Sequence, residues 1–310
     1  MAGMSASDAV RLPSPAPTGA AASPAAGERE FVLTLSCTNT RGIVHAVSGA
    51  LLEVDADITE SQQYDSPDTG TFFMRVEFRT PAAHDAVDAA LAPVGERFGM
   101  HLQLWDAAVR TRTLVMCSKD GHTLNDLLFQ QRAGTLPIDI PVVVSNHLDL
   151  QPLASFYGVP FIHIPVSATG TQTKAAAEAR LRELIEEFDI DLVVLARYMQ
   201  ILSDELCAEL EGRAINIHHS FLPSFKGARP YHQAHERGVK LIGATAHYVT
   251  ADLDEGPIIA QSVQPVTHAQ TAADFVARGR HVEGNTLVQA VRWHAQHRVL
   301  LDGRRTVVFG

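Results

Sequence analysis

Ile190-Asp191-Leu192-Val193-Val194-Leu195-Ala196 ends in five consecutive apolar residues. Apolar side chains at every position, rather than at alternate ones, mark a strand buried on both faces. Upstream, AAAEARLRELIEEF (175–188) reads as an amphipathic helix. The pattern repeats at TLVMC (113–117), IPVVVSN (140–146) and VPFIHIPV (159–166), and a helix carrying Leu124, Leu127 and Leu128 follows the first of these. Apolar strands alternating with helices predict an α/β unit over 112–310, with a mostly parallel sheet covered on both sides. Such sheets hold ligands beyond the carboxyl ends of their strands. The segments to watch therefore follow LVVLA (192–196) and AINIH (214–218).

Residues 29–110 follow a different pattern. FVLTLSC (31–37) alternates as a strand, and Ile43, Val47 and Leu51 recur at helical spacing. ITESQQYDS (58–66) is a second strand, Ser66-Pro67-Asp68-Thr69-Gly70 a turn, and TFFMRVEF (71–78) the returning strand. A helix over 81–98 and the strand HLQLW (101–105) complete β-α-β-β-α-β, the split ferredoxin-like order. This segment resembles an ACT domain. The resemblance implies a regulatory unit that binds a free amino acid, glycine or methionine, near Asn39, Arg41 and Gly42, and that helps join subunits into a homo-oligomer. Thr38 and Asn39 stand where that family often has Pro-Asp, and Asn39 is expected near the helix start. Open sheet edges tend to be paired or covered, which also points to self-association.

The first 28 residues are rich in Ala, Pro, Ser and Gly, and are expected to be a disordered tail. The net charge of −10 comes without a Lys/Arg cluster, which argues against nucleic acid as a partner. No apolar run reaches the roughly 20 residues needed to span a bilayer, and no secretory signal opens the chain. The three cysteines, Cys37, Cys117 and Cys207, form no metal-binding or disulfide spacing, so a reducing cytoplasm is expected.

Chemistry concentrates in AINIHHSFLPSFKGARPYHQA (214–234). Asn216 and His218 share one strand face by the two-residue alternation. An amide donor beside an imidazole suits a carbonyl reaction: the amide stabilises charge on oxygen and the imidazole moves a proton. Taken alone, Asn-x-His also fits a packed, hydrogen-bonded histidine. A second segment, IGATAHYVTADLDEGPIIAQ (242–261), holds Asp252, Asp254 and Glu255 at a strand–loop–strand junction. A carboxylate there would polarise His218 or orient a water, or else lie in a solvated turn.

Together the two segments resemble the formyl-folate transferase and hydrolase family. Asn216-Ile217-His218-His219-Ser220-Phe221-Leu222-Pro223 matches its first motif, and Asp254-Glu255-Gly256-Pro257-Ile258-Ile259 its second. The resemblance covers about 112–309 and implies a Rossmann-like formyltransferase domain. It also implies Asn216, His218 and Asp254 as the catalytic trio, and a folate loop at Arg197, Met199, Gln200, Ile201 and Leu202. Ala251, Asp252 and Leu253 would close the pterin's other edge. No prosthetic group or metal is implied; 10-formyltetrahydrofolate is substrate.

In the glycinamide ribonucleotide transformylases of this family, a glycine-rich loop after the first strand cradles the acceptor's phosphate. Cys117-Ser118-Lys119-Asp120-Gly121-His122-Thr123 replaces it here, and Asp120 would repel an anion. An ACT-like unit ahead of the catalytic domain is the arrangement of formyltetrahydrofolate deformylases. This implies hydrolysis to tetrahydrofolate and formate, supplying formate and balancing one-carbon pools for purine synthesis. The alternatives are a transferase with a small acceptor and a non-catalytic amino-acid sensor.

Overall fold

The computed structural model describes residues 27–166, 173–219 and 230–310. The expectation for the tail falls almost wholly outside those residues, as do motif positions Ser220 to Pro223.

The N-terminal unit runs β1 (Arg29–Thr38), α1 (Ile43–Glu53), β2 (Asp57–Asp65), β3 (Thr71–Thr80), α2 (His84–Phe98) and β4 (His101–Asp106). Its sheet has the order β2-β3-β1-β4 with every pair antiparallel. Alternation sends Phe31, Leu33 and Leu35 of β1 and Met74, Val76 and Phe78 of β3 to one face. Both helices cover that face, supplying Ile43, Val47, Leu51, Val87 and Leu91. Asn39 does not cap α1. The chain enters the helix through Gly42 at φ 95, a left-handed conformation suited to glycine, with no side-chain cap bond. Asn39 itself is exposed, and its N–H donates to the carbonyl of Gly70.

The second unit runs β5 (Thr111–Cys117), α3 (His122–Arg132), β6 (Ile138–Ser145), α4 (Gln151–Tyr157), β7 (Phe161–His163), α5 (Lys174–Glu187), β8 (Leu192–Ala196), α6 (Asp204–Glu209) and β9 (Ala214–His218). It continues with α7 (Pro230–Glu236), β10 (Leu241–Tyr248), β11 (Ile258–Pro265), α8 (Ala272–Ala295) and the hairpin β12 (Val299–Asp302) and β13 (Arg305–Val308). Seven strands order as β11-β10-β9-β8-β5-β6-β7. The five from β9 to β7 are mutually parallel, and β10 lies antiparallel between β9 and β11. A short loop joins β10 to β11, and so short a link permits only an antiparallel pair. The strand expected across 159–166 shrinks to three residues because Pro160 and Pro165 lack the N–H that a ladder requires.

One sheet face packs on α3, α4 and α8 through residues such as Leu124, Leu128, Ile215, Tyr248 and Leu287. The other packs on α5 and α6 through Leu114, Val193, Leu195, Leu184 and Leu206. Ala214 belongs to this second face, so Asn216 and His218 follow it there.

The open face of the N-terminal sheet rests against the end of α8. Fully buried Arg75 donates to Glu60, Glu77 and the carbonyl of Gln296, and Trp105 stacks on His297 with ring centroids 4.2 Å apart. Between the units lies a cavity of about 610 Å³ whose walls include Trp105, Tyr248, His294 and His297. Asn39, Arg41 and Gly42 are exposed and are not among its walls.

Candidate active site

Asn216 and His218 are the third and last residues of β9, and β10 lies alongside with His247 opposite Asn216 in the register. The loop from Val249 to Pro257 folds back over this face and delivers Asp254. Two backbone features allow that approach. Asp254 is held at φ 59, strain of the kind that persists where surrounding structure enforces it. Gly256 passes so close to β10 that a Cβ would stand 1.8 Å from the carbonyl oxygen of Tyr248.

His218 Nδ1 donates to Asp254 Oδ1 across 3.0 Å. That bond fixes the ring and leaves Nε2, which is buried and has no protein hydrogen-bond partner among the described residues. The hydrogen bond from His218 outweighs burial and holds the Asp254 carboxyl below its ordinary value. His247 Nδ1 lies 2.8 Å from the Tyr248 carbonyl and must donate to it, so its Nε2 accepts from Asn216 Nδ2 at 3.3 Å. Burial lowers the His247 pKa and keeps the ring neutral. The same Nε2 stands 3.9 Å from Asp254 Oδ1.

These groups line a cleft of about 230 Å³ together with Arg197, Met199, Gln200, Ile201, Leu202, Ala251 and Leu253. Met199, Ile201 and Leu253 are each about 60% exposed, an apolar rim of the kind that takes a flat aromatic ring. Asp252 is exposed and is not among the lining residues. Its carbonyl oxygen accepts from Thr250 Oγ1, so this position serves the loop's own turn. Ten of the eleven residues named from sequence for catalysis and folate contact therefore share one cleft.

Sequence reasoning missed three contributors. His247 carries no motif of its own, and only the pairing of β10 with β9 brings it opposite Asn216. Buried Ser118 donates to Asn146 Oδ1 at 2.7 Å and accepts from the Met199 N–H at 3.0 Å, anchoring the 197–202 loop to β5. Glu283, from the middle of α8, lies behind Arg197.

The residues 111–291 match the family model described as formyl transferase. A formyltetrahydrofolate deformylase from Corynebacterium sp. (strain P-1) is 53% identical over 280 residues, covering 89% of this chain and 97% of that protein. The crystal structure of a formyltetrahydrofolate deformylase from Burkholderia mallei is 49% identical, with a TM-score of 0.87, over 91% of this chain and all of that one. A glycinamide ribonucleotide transformylase from Symbiobacterium toebii is 34% identical with a TM-score of 0.61, covering 65% of this chain and 95% of that one. Near-complete coverage by deformylases, N-terminal unit included, against partial coverage by a transformylase decides the assignment: the chain belongs to the formyltetrahydrofolate deformylase family.

Proposed function

We propose that the cleft hydrolyses 10-formyltetrahydrofolate to tetrahydrofolate and formate, with Asn216, His218 and Asp254 as its catalytic residues. The observation that carries this is the 3.0 Å bond from His218 to Asp254, which leaves His218 Nε2 in the cleft beside the Asn216 amide. The apolar rim holds the pterin, presenting the formyl carbon to the cluster. Asp254 orients the attacking water and supports the imidazolium that forms on His218. Asn216 donates its remaining N–H to the developing oxyanion, a preorganised donor where charge appears. His218 then returns the proton to the departing folate nitrogen, and the C–N bond breaks. Incubating the protein with 10-formyltetrahydrofolate and no acceptor tests this: formate release at the rate of folate turnover is expected, and its absence overturns the reading.

We further infer that residues 29–110 form an ACT-like regulatory unit that assembles the protein as a homo-oligomer and binds a free amino acid, glycine or methionine, near Asn39, Arg41 and Gly42. The antiparallel sheet with two helices on one face supports the fold. The exposed outer strand β2 supports pairing with a second copy. We place the reaction in the cytoplasm, where it would supply formate and balance one-carbon folate pools for purine synthesis. No helix among the described residues is long and apolar enough to cross a membrane.

A further inference from the structure

The two sides of the reacting cluster differ. One is the open apolar rim of Met199, Ile201 and Leu253. The other holds Arg197, which lines the cleft, follows β8 at φ 62 and has a side chain only 14% exposed. Its Nη2 lies 3.5 Å from Asp120, in the turn before α3, and its Nε lies 3.5 Å from Glu283 of α8. Glu283 is buried and accepts from Tyr231 of α7 at 2.6 Å and from His122 of α3 at 2.9 Å. Burial alone would raise its pKa, but the bonds from His122 and Tyr231 and the Arg197 charge hold it lower, so it stays anionic. A partly buried ionic cluster thus ties four elements together across the carboxyl edge of the sheet, where ligands of such folds enter.

We propose that Arg197 sets the acceptor of this reaction: its guanidinium fills the approach to the formyl carbon, so that water reaches it and amines do not. This rests on the hydrolytic reading above. The catalytic fold does not itself dictate water, since a glycinamide ribonucleotide transformylase shares it. The difference must be local, and Arg197 is the one Arg or Lys among the described residues that line the cleft. The guanidinium is held by Asp120 and Glu283, so its bulk stays in place and stops the substituent that an amine nitrogen carries. Water is small enough to pass. With the plug removed, an amine nitrogen would attack the formyl carbon and lose a proton while the folate C–N10 bond breaks and N10 gains one. The products would be a formylated amine and tetrahydrofolate, with no other reactant needed.

Glycine adopts φ 62 without strain, so Arg197→Gly removes the side chain while preserving the backbone. The experiment supplies 10-formyltetrahydrofolate with glycinamide as the probe amine and measures formylglycinamide and formate by mass spectrometry. The wild type is expected to yield formate alone above the uncatalysed background. In Arg197→Gly the ratio of formylglycinamide to formate should rise by about tenfold or more, in step with amine concentration. Arg197→Lys, which keeps much of the volume, should hold that ratio well below the Arg197→Gly value, whatever its overall turnover. An Arg197→Gly protein that releases formate with an unchanged product ratio overturns the proposal. If that variant does not fold, Arg197→Asn also removes the guanidinium at a φ that Asn tolerates, and a wild-type ratio there is equally fatal. Failure of the wild type to make formate would instead count against hydrolysis itself, so the two failures are separable.

Discussion

The His247 ring donates through Nδ1 to the Tyr248 carbonyl at 2.8 Å, and that bond decides how the Asn216 amide is oriented. With Nδ1 committed as donor, Nε2 is an acceptor, and it fixes Asn216 with nitrogen rather than oxygen toward β10. One N–H of Asn216 is spent on this bond and the other remains for the substrate oxygen. Replacing His247 by Phe keeps a ring but removes the acceptor. Formate release should drop by up to about a hundredfold, because a small misplacement of a catalytic donor is expensive. The fall should appear in kcat with KM little changed, since the pterin contacts are elsewhere. A loss confined to KM would show that His247 shapes the folate pocket instead.

Asp254→Asn should leave the fold intact and lower turnover by roughly a hundred- to a thousandfold. Circular dichroism and formate release on the same sample check it; near-normal turnover would remove Asp254 from the mechanism. A pH series adds a second reading. The Asp254 carboxyl is depressed by the hydrogen bond from His218, so its stabilising contribution is complete above the unfolded value of 3.8 and disappears only as pH falls through the lower folded value. Wild type should therefore lose more stability than Asp254→Asn when titrated from pH 4 downward.

Gly256→Ala tests whether Asp254 depends on the loop's close passage over β10. The added methyl meets backbone, the Tyr248 oxygen at 1.8 Å, so the loop itself must shift. Turnover should fall by about a hundredfold with a near-native melting profile, since the affected loop is half exposed. Unaltered activity would show that Asp254 reaches His218 by another backbone path.

The parallel strands were legible because burial on both faces leaves an unmistakable run of apolar residues, as in Leu192–Ala196. Asn216, His218 and Asp254 were legible because strand alternation and a motif pair located them. The long helix α8 was not read from sequence, although a capping box at Thr271 and Asp274 opens it. Gly279 and Gly284 weaken its helical signature. Both are there for packing: a Cβ would lie 2.1 Å from the Tyr231 ring and 1.9 Å from Asp126 Oδ2 respectively. Glu283 sits between these glycines, so the part of the site hardest to read lies where local propensity yields to tertiary contact. Asp252 is exposed and outside the cleft lining, since sequence proximity to Asp254 said nothing about which side chain the turn exposes.

The contact between the two units should make the protein acid-sensitive well above the carboxylate range. Burial lowers His294 to about 4 and His297 to about 3, and both lie on the junction. His294 Nδ1 meets the Tyr248 hydroxyl at 2.8 Å, and His297 lies flat against Trp105. Their folded values are below the unfolded 6.5, so the unfolded state takes up protons first as pH falls. The stability they contribute is complete above 6.5 and is lost progressively below it, until the folded values are reached. The wild-type melting temperature should fall by about 4 °C or more between pH 7 and pH 5. His219 and His247 are lowered by burial too, so variants at the junction must identify the source. A His294→Gln, His297→Gln double variant should start less stable at pH 7, having lost the stack on Trp105, yet show a shallower decline over the same interval. If its melting temperature falls with pH as steeply as that of the wild type, the junction histidines are not the acid-sensitive groups, and the pair within the cleft must account for the slope.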